Sequence, residues 1–151
     1  MSGPANTPLF VDTGAFFAHF TADAARHDSA RTTMEAIRTG ELRYKPLYTT
    51  GYVLGELATL IVRKVGHDQA LRAIRRVRGS DAVRVLHPGR ETVDAVVDEF
   101  ERFDDQQISF VDHVTAVTAD EYHVDHVFAF DDDFRTLGFT LVPADVRVPE
   151  S

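Results

Sequence analysis

The chain has 151 residues, 44% hydrophobic and 26% charged, enough apolar material for one compact core, and it is read as a single domain, 1–151, with its core at about 8–145. It contains no Cys, which excludes disulfide staples, thiolate zinc sites and a cysteine nucleophile. The first eight residues lack a basic and apolar leader pattern, and nowhere do about 18 apolar residues run together, so a soluble cytoplasmic protein is expected, with no membrane partner.

The net charge of −8 arises from 16 Asp and 8 Glu against 14 Arg and only 2 Lys, Lys45 and Lys64. Short, strongly hydrated carboxylates in place of long amines suggest a salt-adapted surface, with ordinary acidic drift as the alternative. The charge is uneven. Residues 63–90 carry 8 basic and 2 acidic groups, whereas residues 91–151 carry 3 and 16.

In chain order, Leu9-Phe10-Val11 reads as a buried strand stopped by Asp12-Thr13-Gly14, with a helix resuming at Ala15, Phe16, Phe17 and Phe20. A helix over 24–38 ends at Gly40, and a short strand spans 46–49. Thr50 caps a helix over 51–65 that Gly66 ends, and a further helix covers 67–78. A strand at 83–86, helices over 92–103 and 109–122, a strand at 126–130, an acidic turn at 131–133 and a strand at 139–142 complete the pattern. Short apolar strands alternating with helices define the α/β class, around a mostly parallel sheet. Residues 1–7 and 146–151 read as loose ends.

Two of these strands end in an acid, Asp12 and Asp131, and the carboxyl ends of parallel strands line the edge where ligands bind. Each is also a fit helix cap. Glu56 falls at the edge of the apolar arc formed by Val53, Leu54, Leu57, Leu60 and Ile61, at a rim or on the surface. Asp112 follows Ser109 by three residues, the form of a capping box, and also sits in the first turn of a helix that starts beside the sheet edge. None of these acids has Lys or Arg beside it in sequence. Uncompensated carboxylates repel and stay partly protonated unless a cation joins them, and an all-oxygen set suits Mg²⁺ or Mn²⁺. In phosphodiester cleavage such a cation activates the attacking water and neutralises charge on the phosphorus oxygens and the leaving group.

The order Phe10-Val11-Asp12-Thr13, Leu54-Gly55-Glu56-Leu57, Ser109-Phe110-Val111-Asp112 and Phe130-Asp131-Asp132-Asp133-Phe134 resembles the PIN-domain ribonucleases, and among them the VapC-type toxins of toxin–antitoxin pairs, over about residues 8–145. The resemblance implies a three-layer α/β/α sandwich and a Mg²⁺- or Mn²⁺-dependent endoribonuclease. It also implies an RNA substrate, an antitoxin partner and a homodimer. It places Asp12, Glu56, Asp112 and Asp131 as catalytic and metal-binding acids, with Asp133 as a further metal ligand. Gly14 stands where the family usually has Ser, and Ala129 where it commonly has a hydroxyl residue that would orient water at the cation.

Other features have plainer accounts. His113, beside Asp112, and the pair His123 and His126 lack a zinc motif, and the i,i+3 pair reads as surface or capping residues. Arg72, Arg75 and Arg76 share a helix face that meets RNA phosphates, a partner's acids or solvent. Phe16 and Phe17, just after Asp12, belong to the core, a base-flanking site or a subunit interface. Phosphoryl transfer through Asp12 is disfavoured because neither lysine follows a late strand. The remaining alternatives are an RNA-processing nuclease of the same fold or a non-catalytic binding module.

Overall fold

The computed structural model describes residues 5–147. Its strands are β1 (Thr7–Val11), β2 (Tyr44–Thr50), β3 (Val83–Leu86), β4 (His126–Phe128) and β5 (Thr140–Val142). The helices are α1 (Thr13–Phe20), α2 (His27–Thr39), α3 (Gly51–Lys64), α4 (His67–Gly79), α5 (Arg90–Arg102), α6 (Phe110–Glu121) and the single turn α7 (Asp133–Thr136). The strands lie in the order β3-β2-β1-β4-β5, every pair parallel. The chain builds outward from β1 through β2 to β3 and then returns to the other side of β1. The carboxyl ends of β1 and β4 therefore flank the point where strand order reverses, the usual place for a ligand crevice in such sheets.

Strand alternation explains the layers. Leu9 and Val11 face one way, packing with Phe16, Ala30, Leu57, Ala73 and Val77 from α1 to α4. Phe10 faces the other way, with Val127 and Leu141, against Ala116 and Ala119 of α6 and Phe134 of α7. The result is the α/β/α sandwich. Among the described residues no helix is long and apolar enough to cross a membrane.

Most expected elements are present, with informative differences at their ends. Gly40 takes φ 83° and closes α2 by donating its N–H to Ile37 O, as its position predicts. The same helix begins at His27 rather than residue 24, because residues 21–27 form successive turns, with Ala24 N–H on Thr21 O and His27 N–H on Ala24 O. β4 stops at Phe128, two residues early; Ala129 still donates to Val142 O, and Phe130 then leaves the sheet. The acidic turn is the start of α7. At the ends, Thr7 bonds to Arg43 O as part of β1 and Val146 packs on the core, so neither is loose; the expected loose residues 1–4 and 148–151 lie outside the described residues.

Candidate metal centre and active site

Asp12 is the N-cap of α1, placed by β1: its N–H bonds to Phe128 O at 3.0 Å, which ties it to the end of β4. The capping role is weak, since Oδ2 accepts from Gly14 N–H at a long 3.4 Å. Its other oxygen, Oδ1, is buried without a hydrogen-bond partner among the described residues. A carboxylate oxygen left bare at 5% exposure is costly as it stands and becomes favourable with a cation against it.

Glu56 lies two turns into α3, whose start is set by buried Thr50, the hydroxyl of which accepts from Val53 N–H at 3.2 Å. Asp112 lies in the first turn of α6, where its N–H donates to Ser109 Oγ at 3.1 Å. Asp131 lies between β4 and α7 and Asp133 opens α7, the two joined by Asp133 N–H on Asp131 Oδ1 at 2.9 Å. These five acids line one cleft of about 450 Å³, together with Thr13, Gly14, Leu60, Gln107, Ser109 and Phe130. Among the described residues no Lys, Arg or His lines it. Asp112, Asp131 and Asp133 form its tightest group, each offering a carboxylate oxygen within 4.8 Å of the others, with Asp12 and Glu56 on the surrounding wall.

The electrostatics follow from burial and like charge. Burial pushes the Asp12 carboxyl up to about 7; the backbone N–H groups of Thr13 and Gly14 oppose this, and the Glu56 and Asp131 charges add to it. Burial pushes Asp112 up to about 8, helped by Asp12, Asp131 and Glu56 and opposed by the Ser109 hydroxyl. Asp133 is raised by burial and then by Asp131. Five oxygen donors, no compensating cation and a bare buried oxygen fit a hard divalent ion.

The other singled-out residues lie elsewhere. Arg72, Arg75 and Arg76 are exposed on α4, and none lines the cleft. His126 bonds through Nδ1 to the Tyr44 hydroxyl at 2.9 Å, His123 lies beyond the end of α6 with φ 57°, and neither belongs to the acidic group. His113 belongs to the interior. It is 1% exposed, edge-on to Phe100 and tilted against Phe103, with both ring nitrogens unpartnered among the described residues, and burial lowers its pKa. Phe16 goes to the core. Gln107 and Phe130 are cleft residues that sequence reading passes over; their signal is proximity, two residues before the Ser109 cap and one before Asp131. A side chain at Gly14 would meet Asp12 Oδ2 at an ordinary 3.8 Å, so a serine there would fit. Ala129 is fully buried in the second core layer and does not line the cleft.

A fold with its crevice at this reversal point, lined by five carboxylates, defines a class. The chain belongs to the PIN-domain family, whose model matches residues 9–140. Within it, VapC proteins are among the relatives it resembles. VapC20 of Mycobacterium tuberculosis, named a 23S rRNA-specific endonuclease, is 32% identical over 134 residues, covering 89% of this chain and 97% of that protein. Ribonuclease VapC26 of the same organism is 28% identical, covering 89% of this chain and all of its own length. The crystal structure of VapC20, described as a sarcin-ricin loop cleaving toxin, matches with TM-score 0.80 at 31% identity, covering 92% of this chain and 98% of that one. VapBC2 from Rickettsia felis, bound to a DNA fragment from its promoter, shares the fold alone, with TM-score 0.64 at 12% identity, 89% of this chain and 97% of that one.

Proposed function

We propose that this chain is a Mg²⁺- or Mn²⁺-dependent endoribonuclease, the toxin of a toxin–antitoxin pair, built as one PIN domain over 1–151, working in the cytoplasm as a homodimer and held by an antitoxin. The observation that carries the reading is the cleft itself: Asp12, Glu56, Asp112, Asp131 and Asp133 converge from four separate parts of the chain without a cation among them, and Asp12 Oδ1 is buried bare. Asp12, Glu56, Asp112 and Asp131 are assigned as catalytic, and with Asp133 they would hold the ion. When bound, the ion supplies an activated water and neutralises charge developing on the phosphodiester.

The chain's own residues prepare that step. Asp12 and Asp112, raised to about 7 and about 8, are partly protonated near neutral pH and would have to lose those protons to hold a divalent ion. Leu60 and Phe130 give the cleft apolar walls, which strengthen the electrostatics within it, while Gln107 and Ser109 offer hydrogen-bonding groups for sugar or phosphate oxygens. RNA is the preferred polymer because unpaired loops expose the backbone to such a cleft. The name of VapC20 makes a ribosomal RNA stem-loop the first substrate to try.

The test is cleavage of a ribosomal stem-loop oligonucleotide by the purified protein with Mg²⁺, Mn²⁺ or EDTA, beside Asp12→Asn. Cutting confined to the wild type with a divalent ion is expected. Cutting that persists in EDTA and in Asp12→Asn overturns the reading.

A further inference from the structure

Five carboxylates outnumber the charge of one divalent ion by three, so the loaded cleft still repels an incoming phosphodiester, and among the described residues no cation lines it. Attraction for a polyanion must therefore come from outside the acidic lining. Three arginines among the described residues lie over aromatic rings. Arg102, over Phe103, is paired with Glu99 at 3.0 Å. Arg76, over Phe20, belongs to a hollow of about 660 Å³ at the other end of the sheet, between α1, α2 and α4 where β2 and β3 begin. There it joins Arg31, Lys45 and Arg84 round an apolar floor, all four exposed and without an ion pair among the described residues. Arg26 is placed differently: its guanidinium lies 5.8 Å from the centroid of Phe130, an aromatic wall of the acidic cleft and the residue before Asp131.

Arg26 is exposed and forms no ion pair among the described residues, although Asp23 and Asp28 stand near it in sequence. Its backbone is fixed at the start of α2. His27 donates its N–H to Ala24 O at 3.0 Å, the His27 ring bonds through Nδ1 to Ala18 O of α1 at 2.8 Å, and Arg26 O accepts from Ala30 N–H at 2.9 Å. The ring beneath it is fixed as well, edge-on to buried Phe128 of β4 with centroids 6.0 Å apart. A guanidinium over such a ring keeps its N–H edge in water and gives up less freedom when it meets an oxyanion. The largest influences on Asp12, Asp112 and Asp133 include no cation, so Arg26 does not neutralise the acids, and its charge is left for a substrate. The scissile phosphate has to sit among the acids, and Arg26 stands outside their lining, so the anion within its reach is a neighbouring phosphate of the same strand. We propose that Arg26, positioned by Phe130, binds the phosphate next to the scissile one and so aligns the RNA strand over the acidic cleft. The proposal rests on the nuclease reading of that cleft.

The experiment is Mn²⁺-dependent cleavage of a ribosomal stem-loop oligonucleotide by the wild type, Arg26→Ala, Arg26→Lys and Phe130→Leu, with thermal melts showing that each is folded. Arg26→Ala is expected to raise KM about tenfold, the loss of one charge-assisted contact, with kcat within about twofold of wild type. The log–log salt dependence of kcat/KM should become shallower by about 0.7, the share of one phosphate on a single strand. Arg26→Lys keeps the charge but not the fork, so it should restore the salt slope with KM between the other two. Once the wild-type products locate the cut, a single neutral methylphosphonate linkage is placed on either side of it. At one of the two positions it should raise the wild-type KM as much as Arg26→Ala does and leave the KM of Arg26→Ala unchanged. Phe130→Leu should show a weaker form of the same pattern. An unchanged KM in Arg26→Ala, or equal methylphosphonate penalties in wild type and Arg26→Ala at both positions, overturns the proposal. So does a penalty that Arg26→Ala masks only when the neighbouring base, rather than the phosphate charge, is removed, since Arg26 then stacks a base. Wild-type behaviour of Phe130→Leu overturns the positioning role of the ring. A wild type that does not cut overturns the nuclease reading and this one with it, whereas normal wild-type cutting with no effect of Arg26→Ala overturns this one alone.

Discussion

The two ends of one parallel sheet carry opposite charge, and they differ in what that charge costs. At the carboxyl end five carboxylates meet without a cation, and Asp12 and Asp112 are buried, so both desolvation and repulsion act on them. At the amino end four unpaired cations surround an apolar hollow but remain exposed, so water screens their repulsion. The same helix, α1, joins the two, with Asp12 at one end and Phe20 at the other. The stability to support both comes from the apolar layers on either face of β1. The lesson is that buried like charge is a liability awaiting a ligand, whereas exposed like charge is cheap.

The largest expected effect breaks the acidic end. Asp12→Asn or Asp112→Asn should lower divalent-dependent cleavage by more than about a hundredfold, since even groups that merely orient metal ligands cost 10–100-fold. In the metal-free protein Asp12→Asn should melt at or above the wild-type temperature, because repulsion is relieved, and its stabilisation by Mn²⁺ should shrink. Thermal melts with and without Mn²⁺ check both; a metal-free Asp12→Asn melting well below wild type with a full Mn²⁺ shift would make Asp12 a structural cap.

Next comes pH. Asp12 and Asp112 have folded pKa values of about 7 and about 8, above the ordinary carboxylate value of 3.8, so the folded metal-free protein holds more protons than the unfolded chain between about pH 4 and 8. Their contribution to stability is therefore fully present below pH 4 and declines as pH rises to about 8. His19 and His113, with lowered pKa values, act in the opposite direction below and around 6.5 and cease to do so by about pH 7.5, so the clean window is about pH 7.5–8.5. There the metal-free melting temperature should fall with rising pH, Mn²⁺ affinity should rise, and Asp112→Asn should flatten the slope.

A smaller effect concerns the scaffold of the cleft. Thr50→Ala removes the buried cap of the helix that carries Glu56 and should cost about 1 kcal/mol by denaturant melt. Gly14→Ser, which has room beside Asp12, should leave both folding and cleavage near wild type. The smallest effect is expected from Arg72→Ala with Arg75→Ala, exposed and away from both cavities: stability within about 0.5 kcal/mol, and at most a weaker, sequence-independent RNA affinity with a shallower salt dependence.

Much of this was legible from short stretches of chain. Leu9-Phe10-Val11 ending in Asp12, the Thr50 and Ser109 caps and Gly40 at φ 83° are decided within a few residues, because strand alternation, capping bonds and positive φ are local. Where neighbours intervened, local reading slipped. β4 ends at Phe128, with Phe130 turning into the cleft wall; the burial of His113, about which its sequence neighbours say nothing, comes from Phe100 and Phe103, on and just after a different helix, closing over it. The order of the acids along the chain marked the site and matched a known pattern. Their convergence required β4 to return beside β1, since only that strand order brings Asp131 and Asp112 to Asp12 and Glu56. The cationic hollow had no motif at all: its floor and rim come from three helices and two strands, and surfaces assembled from such distant segments are set by packing rather than by any spacing along the sequence.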